Sequence, residues 1–273
     1  MCVDGVSLGT PVPAALHSER RIRSFHPRKG RMSDAQRGAL ARLWKAYGIR
    51  VDGESLLDLD QLFGIGGPDA TEPDATEPNA SRPDTSGQHA AEQRAAGRPV
   101  VLEIGFGMGD ATATMAAADP GTGILAVDVH TPGHGNLLRR IESDQLGNVR
   151  LAEGDAVVLL RDQLAPDSVD GLRIYFPDPW PKARHHKRRL IQPEFVALAV
   201  SRLRPGSVVH CATDWEPYAE QMLEVLSASP DLENLHPQGS GYAPRPDWRP
   251  VTKFEQQGLD KGHTIQDLLF RRR

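Results

Sequence analysis

Residues 99–110 read PVVLEIGFGMGD, and this stretch decides the fold. Val100, Val101, Leu102 and Ile104 form a short apolar run rich in β-branched residues, as a buried strand requires. The run stops at glycines on alternate positions, Gly105, Gly107 and Gly109. Such glycines let the chain turn sharply and approach a ligand where a Cβ would collide. Asp110 then opens a helical pattern over 110–118. Working outward, strand-like runs recur at 124–129, 149–152, 171–176 and 207–213, with helical stretches at 135–146, 156–164 and 192–203 between them. The last is opened by Gln192-Pro193, proline being favoured in a first turn. Strands separated by helices imply an α/β fold with a mostly parallel, doubly wound sheet. Ligands then gather beyond the C-terminal ends of the strands.

Those ends carry acids. Glu103 stands just before the first glycine, Asp128 closes the second strand and Asp155 follows the third. The dinucleotide fingerprint G-x-G-x-x-G would need glycine where this chain has Asp110, and a pyrophosphate there would face a carboxylate. S-adenosylmethionine has no phosphate and carries a sulfonium cation, so an acid-lined corner suits it better. Asp128 is placed to accept from ribose hydroxyls and Asp155 from the adenine amino group. Each alone reads as an ordinary strand-end or helix-capping acid. Three on consecutive strands, with the glycines, favour an adenosyl ligand over the rival nicotinamide-dependent oxidoreductase.

The fourth strand runs into FPDPWPKARHHKRR, residues 176–189. Prolines on both sides of Asp178 fix the backbone and hold its carboxylate and the Trp180 ring on a stiff turn. The cations that follow, Lys182, Arg184, Lys187, Arg188 and Arg189, point to a polyanionic partner. A formal net charge of −4 hides this, because residues 51–97 hold ten acidic against two basic residues, whereas residues 1–50 hold ten basic against three acidic. Residues 64–97 repeat PDATEP and lack core-forming composition, which predicts a disordered linker. It divides a basic N-terminal arm, 1–63, from the main domain, 98–273. In the arm, Ser33 with Gln36 predicts a capping box, and Leu40, Leu43, Trp44 and Tyr47 make one apolar stripe. Cys2 and Cys211 have no metal-ligand spacing, no apolar run is long enough to span a bilayer, and no secretory leader is recognisable. A cytoplasmic protein with neither metal nor membrane partner is expected, as a monomer or homodimer.

RSFHPRKGRMS (23–33), LEIGFGMGD (102–110), VDVHTPGHG (127–135), FPDPWPKARHHKRR (176–189), ATDWEPYAEQML (212–223) and RPVTKFEQQG (249–258) together resemble the bacterial tRNA (guanine-N7-)-methyltransferase family. The likeness runs from about residue 20 to the end, the linker excepted. It implies a class I, Rossmann-like sheet of seven strands, S-adenosylmethionine as methyl donor, and a tRNA variable-loop guanine as acceptor. It assigns cofactor contacts to Glu103, Gly105, Gly107, Gly109, Asp128, Asp155 and Asp178, with Asp178 also catalytic, and substrate contacts to Lys182, Asp214, Thr252, Lys253, Phe254 and Glu255. Asp128 stands where many relatives have Glu, and Pro181 where many have His. Phosphate contacts are expected from Arg184, Lys187, Arg188 and Arg189, and from Arg23, Arg28 and Arg31 in the arm. Trp180, Trp215 and Phe254 are candidates to stack on the base. An exocyclic-amine methyltransferase and a non-catalytic RNA-binding protein are the remaining alternatives.

Overall fold

The computed structural model describes residues 30–64, 97–260 and 262–273. Arg23, Arg28 and nearly all of the expected linker lie outside the described residues, as do the side chains of Lys253 and Phe254. The strands are β1 (Gly48–Arg50), β2 (Val100–Ile104), β3 (Gly123–Asp128), β4 (Val149–Glu153), β5 (Val169–Tyr175), β6 (Leu203–Thr213), β7 (Leu232–Asn234) and β8 (Gln266–Arg272). They form one sheet in the order β1-β4-β3-β2-β5-β6-β8-β7, with β8 antiparallel to both neighbours and the other pairs parallel.

The sheet therefore has eight strands rather than the expected seven. The extra one, β1, comes from the arm and pairs Gly48 to Arg50 with Leu151 to Glu153. Three residues, GIR, carry no alternation to read, yet they cover the edge of β4, which would otherwise expose unpaired backbone groups. Helix α1 (Asp34–Tyr47) delivers this strand. Its capping box is formed: Gln36 N–H donates to Ser33 Oγ at 3.2 Å and Ser33 N–H to Gln36 Oε1 at 2.8 Å. Its stripe of Leu40, Leu43, Trp44 and Tyr47 packs on the core under α3 (Asp110–Ala118) and α4 (Thr131–Ser143). A short α2 (Leu59–Phe63) places Leu59 and Phe63 in the core on the opposite face. That second face is also covered by α5 (Ala156–Val158, continued as a π turn to Gln163), α6 (Pro193–Val200) and α7 (Glu216–Ala228).

Strand alternation sorts the central side chains. Leu102, Ile104, Leu172, Ile174, Val209, Cys211, Leu268 and Phe270 fill the core beside α6 and α7. The residues between them point the other way, so Glu103, Arg173, His210 and Asp267 share the opposite face. Register places Glu103 abreast of Arg173 and Arg173 abreast of His210. Over β5, β6 and β8 this face is polar, and it leads directly to the strand ends where the candidate site lies.

Candidate active site

Where β2 ends, Gly105 N–H donates to Val127 O at 2.8 Å and Gly107 N–H to Asp128 Oδ2 at 2.8 Å. Gly105 and Gly107 have φ of 81° and 60°, and a Cβ on either would meet no atom within 4 Å. The corner is thus both conformationally reserved for glycine and open to a ligand. Its back wall is tight: a Cβ on Gly133 would sit 1.8 Å from Gly107 O, which explains a glycine in the HTPGHG segment.

Asp128 holds this corner together. Its Oδ1 accepts from Val129 N–H at 2.7 Å and His130 N–H at 2.9 Å, in addition to the Gly107 bond on Oδ2. A carboxylate offers about four lone-pair positions, so structural bonds occupy most of its capacity. Asp155 caps α5 by accepting from Val157 N–H at 2.9 Å and stays half-buried at its strand end. Glu153, which sequence reasoning passed over, lies in register with Asp128 and accepts from Thr131 Oγ at 3.4 Å; the signal was the first acid of AEGDA.

Glu103 differs from these. It is 3% exposed, and its Oε2 is buried with no hydrogen-bond partner of good geometry, although Thr112 and Arg173 lie beside it. Burial pushes its carboxyl up from 4.5 to about 7, with Arg173 and Thr112 pulling it back and Asp128 adding to the rise. An unmatched buried carboxylate at the foot of the glycine corner is a place for a cationic or hydrogen-bond-donating ligand.

The FPDPW turn opens next to the glycine corner, because β5 pairs directly with β2. Phe176 and Trp180 both have positive φ, 50° and 44°, which is uncommon for non-glycine residues and costs about 1–3 kcal/mol each. Such strain persists only where surrounding bonds fix it, and Arg189 supplies them. Its Nε donates to Pro179 O at 2.8 Å, and its Nη1 to Pro217 O at 3.1 Å and Gln221 Oε1 at 2.6 Å, with the guanidinium over the Tyr218 ring. Arg189 is 2% exposed, which corrects its expected role as a phosphate contact: its Nε and Nη1 hold the turn against α7, while Nη2 is buried without a partner. The other cations of the run, Lys182, Arg184, Lys187 and Arg188, are exposed on and beside a 3₁₀ turn, Ala183–Arg188. Their density registers at His185, held below the ordinary histidine value by loss of solvent and then by Arg188, Arg184, Lys182 and Lys187. Arg188 lies over the Trp180 ring at 5.0 Å and His185 meets it edge-on, so one candidate stacking ring already has company. Trp215 caps α7 and packs on the core, its Nε1 buried without a partner. Asp178 is half-buried in the turn, and Arg31 is exposed at the start of α1.

Beyond β6, Asp214 Oδ2 lies 3.3 Å from His263 Nδ1. Helix α8 (Lys253–Asp260) packs against it, a Cβ on Gly258 falling 3.4 Å from the same oxygen. Thr252 and Glu255, expected to touch substrate, are engaged with each other. Glu255 N–H donates to Thr252 Oγ1 at 3.0 Å and Thr252 N–H to Glu255 Oε2 at 3.4 Å, a capping box that T-x-x-E announced in the sequence. Glu255 is 2% exposed and clamped by Arg249, so its expected direct substrate contact is corrected too. Among the described residues no helix is long and apolar enough to cross a membrane, and no group of three or more His, Cys, Asp or Glu is placed to hold a metal.

The sheet order with one antiparallel strand inserted beside the last, a glycine corner after the first core strand and acids at the strand ends after it define a class I methyltransferase. Residues 97–268 match a family model described as "Putative methyltransferase". The chain is 60% identical over 260 residues to the tRNA (guanine-N(7)-)-methyltransferase of Streptomyces avermitilis, covering 95% of this chain and 78% of that one. It is 49% identical over 258 residues to the enzyme of the same name from Nitrosospira multiformis, covering 94% and 97%. A solved rRNA methylase from Streptococcus thermophilus aligns with a TM-score of 0.43 and 12% identity, over 64% of this chain and 87% of that one. The chain belongs to the tRNA (guanine-N(7)-)-methyltransferase family.

Proposed function

We propose that this chain, acting in the cytoplasm, transfers a methyl group from S-adenosylmethionine to N7 of the variable-loop guanine of tRNA. The observation that carries the reading is the adjacency, at the ends of neighbouring strands β2 and β5, of a buried carboxylate lacking a partner and a strained acidic turn that runs into exposed cations. The open space over Gly105 and Gly107 accommodates the cofactor, Glu103 Oε2 gains from its cationic end the partner it lacks, and Asp155 and Asp128 stand at the adenosyl side. When bound, the cofactor supplies an electrophilic methyl group on a sulfonium.

Guanine N7 carries an in-plane lone pair and no proton, so no strong general base is needed. The chain's task is alignment and electrostatic support. Asp178 accepts from the guanine N1–H or exocyclic amine, orienting the base and offsetting the positive charge that arrives on the ring. The two positive-φ residues around it keep the carboxylate from swinging away. Asp214 supports the base from the end of β6, and Lys182, Arg184, Lys187, Arg188 and Arg31 meet phosphates. Incubation with unmodified tRNA and labelled S-adenosylmethionine, followed by nucleoside mapping, tests this. Label on N7 of the variable-loop guanine is expected. Label on an exocyclic amine replaces the reading with amine methylation, and tRNA binding without transfer replaces it with a non-catalytic RNA-binding role.

A further inference from the structure

Arg249 is the most heavily bonded buried cation on the acceptor side among the described residues. It is 1% exposed. Its Nη1 and Nη2 grip Glu255 in a fork, at 2.5 Å to Oε2 and 3.0 Å to Oε1. Its Nε and Nη2 grip Asp267 on β8 at 2.8 and 2.9 Å. Asp267 also meets His210 Nε2 at 2.7 Å, and Tyr175 Oη lies 2.9 Å from His210 Nδ1. These partners assign the tautomer: Tyr175 O–H donates to Nδ1, and Nε2–H donates to Asp267. Burial lowers the His210 value, more than Asp267 restores it, in keeping with a neutral ring. Asp267 itself is held below the usual carboxylate range, because the bonds from His210 and Arg249 outweigh its burial. The Arg249 guanidinium further lies 5.9 Å from the ring centres of Tyr175 and Phe176, the residues where β5 passes into the turn that carries Asp178.

We infer that Arg249 is a positioning residue: it bolts the Thr252–Glu255 capping box to the sheet, fixes helix α8 beside Asp214, and so sets how tightly the acceptor nucleotide is held. Buried at 1% and forked onto two carboxylates, it has no access to RNA. What it controls is where helix α8 stands beside Asp214 before the acceptor arrives, and a segment ordered in advance loses less freedom on binding. The fork matters as much as the charge, since a lysine cannot bridge two carboxylates in this planar geometry. The inference rests on the tRNA-methylating reading of the site.

The test uses the full chain, unmodified tRNA and S-adenosylmethionine, with steady-state kinetics and separate measurement of cofactor affinity. Wild-type turnover on tRNA is the control; its absence sinks the proposed function and leaves the inference without a substrate, which a positive control separates from failure of the inference. Glu255→Ala is expected to raise KM for tRNA about tenfold or more, with kcat within about threefold and cofactor affinity within about twofold. Glu255→Gln keeps one acceptor oxygen for Arg249 Nη1 and Thr252 N–H but sets its amide NH2 against Nη2, so it is expected to recover part of the rise in KM, as is R249K. An unchanged KM in folded Glu255→Ala overturns the inference. A fall in kcat at constant KM overturns it too, by placing Glu255 in the chemical step. A Glu255→Gln variant that loses as much in KM as Glu255→Ala while keeping the wild-type thermal midpoint overturns it as well, by showing that the charge acts on substrate directly and not through the clamp. If Glu255→Ala does not fold, the Gln and Lys variants decide the matter on the same readouts.

Discussion

Two glutamates in this molecule are buried to the same degree and are opposite in character. Glu103 at the end of β2 is 3% exposed and Glu255 at the start of α8 is 2% exposed. Glu255 is satisfied twice over, by the Arg249 fork and by its capping partner Thr252. Glu103 keeps one oxygen with no partner, two residues before the open glycine corner, and its carboxyl is pushed up to about 7. The difference separates architecture from ligand site: a buried charge matched by the protein holds the fold, and one left unmatched is waiting for a ligand. The KARHHKRR run divides by burial instead, Arg189 being interior and bonded to the turn and α7 while Arg188 is exposed.

The largest expected effect lies outside both glutamates and fixes the scale for them. Asp178→Asn keeps the shape of the strained turn while removing the charge that balances the methylated ring. Its kcat should fall on the order of 100- to 1,000-fold, with cofactor affinity changed only modestly, as equilibrium binding and single-turnover assays would show. Near-normal turnover would remove Asp178 from the chemistry.

Next comes the direct contrast. Glu103→Gln should weaken S-adenosylmethionine binding by roughly 10-fold or more, yet leave the thermal midpoint of the free protein unchanged or raised, because a desolvated carboxylate has been replaced by a neutral group. Glu255→Ala should do the reverse, lowering the midpoint and leaving cofactor affinity alone. Calorimetric melting and cofactor titration of the pair would break the comparison if both variants behaved alike.

A pH series sharpens it. Below about 7 the free protein holds Glu103 protonated, so affinity for the cationic cofactor should drop about 10-fold between pH 8 and pH 6, and in Glu103→Gln this dependence should vanish. The sign for stability is opposite. Between 4.5 and about 7 the folded state keeps a proton that the unfolded chain has released, so Glu103's contribution to stability declines as pH rises through that window and is lowest above it.

The smallest effects concern the cations. Arg188→Ala should weaken tRNA binding a few-fold at low salt and reduce the slope of log affinity against log salt by about one contact. Arg189→Ala should leave that slope unchanged and instead lower thermal stability, by loosening Pro179 and α7. Equal salt slopes for the two variants would contradict the division drawn here.

Much of this was legible in the sequence. The apolar runs of the five central parallel strands fall within a few residues of their observed positions, because a strand buried on both faces leaves a continuous hydrophobic signature. PVVLEIGFGMGD announced both the corner and its acid, and Ser33 with Gln36 announced a cap that is formed. Three things were not readable for physical reasons. β1 is three residues long, and its pairing with β4 depends on where α1 docks, which turns on a close approach between Gly135 and Gln36. Arg189 looks like its neighbours until the fold buries it. Whether a strand-end acid is matched or unmatched depends on partners far along the chain: Asp128 is taken up by Gly107 N–H, and Glu103 keeps one oxygen without a partner. The Thr252–Glu255 box was present as T-x-x-E, but a pattern associated with substrate is easily taken for a set of contacts when it is a cap.

The central claim is that the unmatched carboxylate of Glu103 becomes ionised when the methyl donor binds. Titration calorimetry at pH 7, repeated in buffers of different ionisation enthalpy, counts the protons exchanged on binding and cancels the donor's own contribution when wild type is compared with Glu103→Gln. The account predicts that wild type releases about half a proton more than the variant, as a group titrating near 7 must on losing its remaining proton. Equal proton counts, with equal affinities, would contradict it.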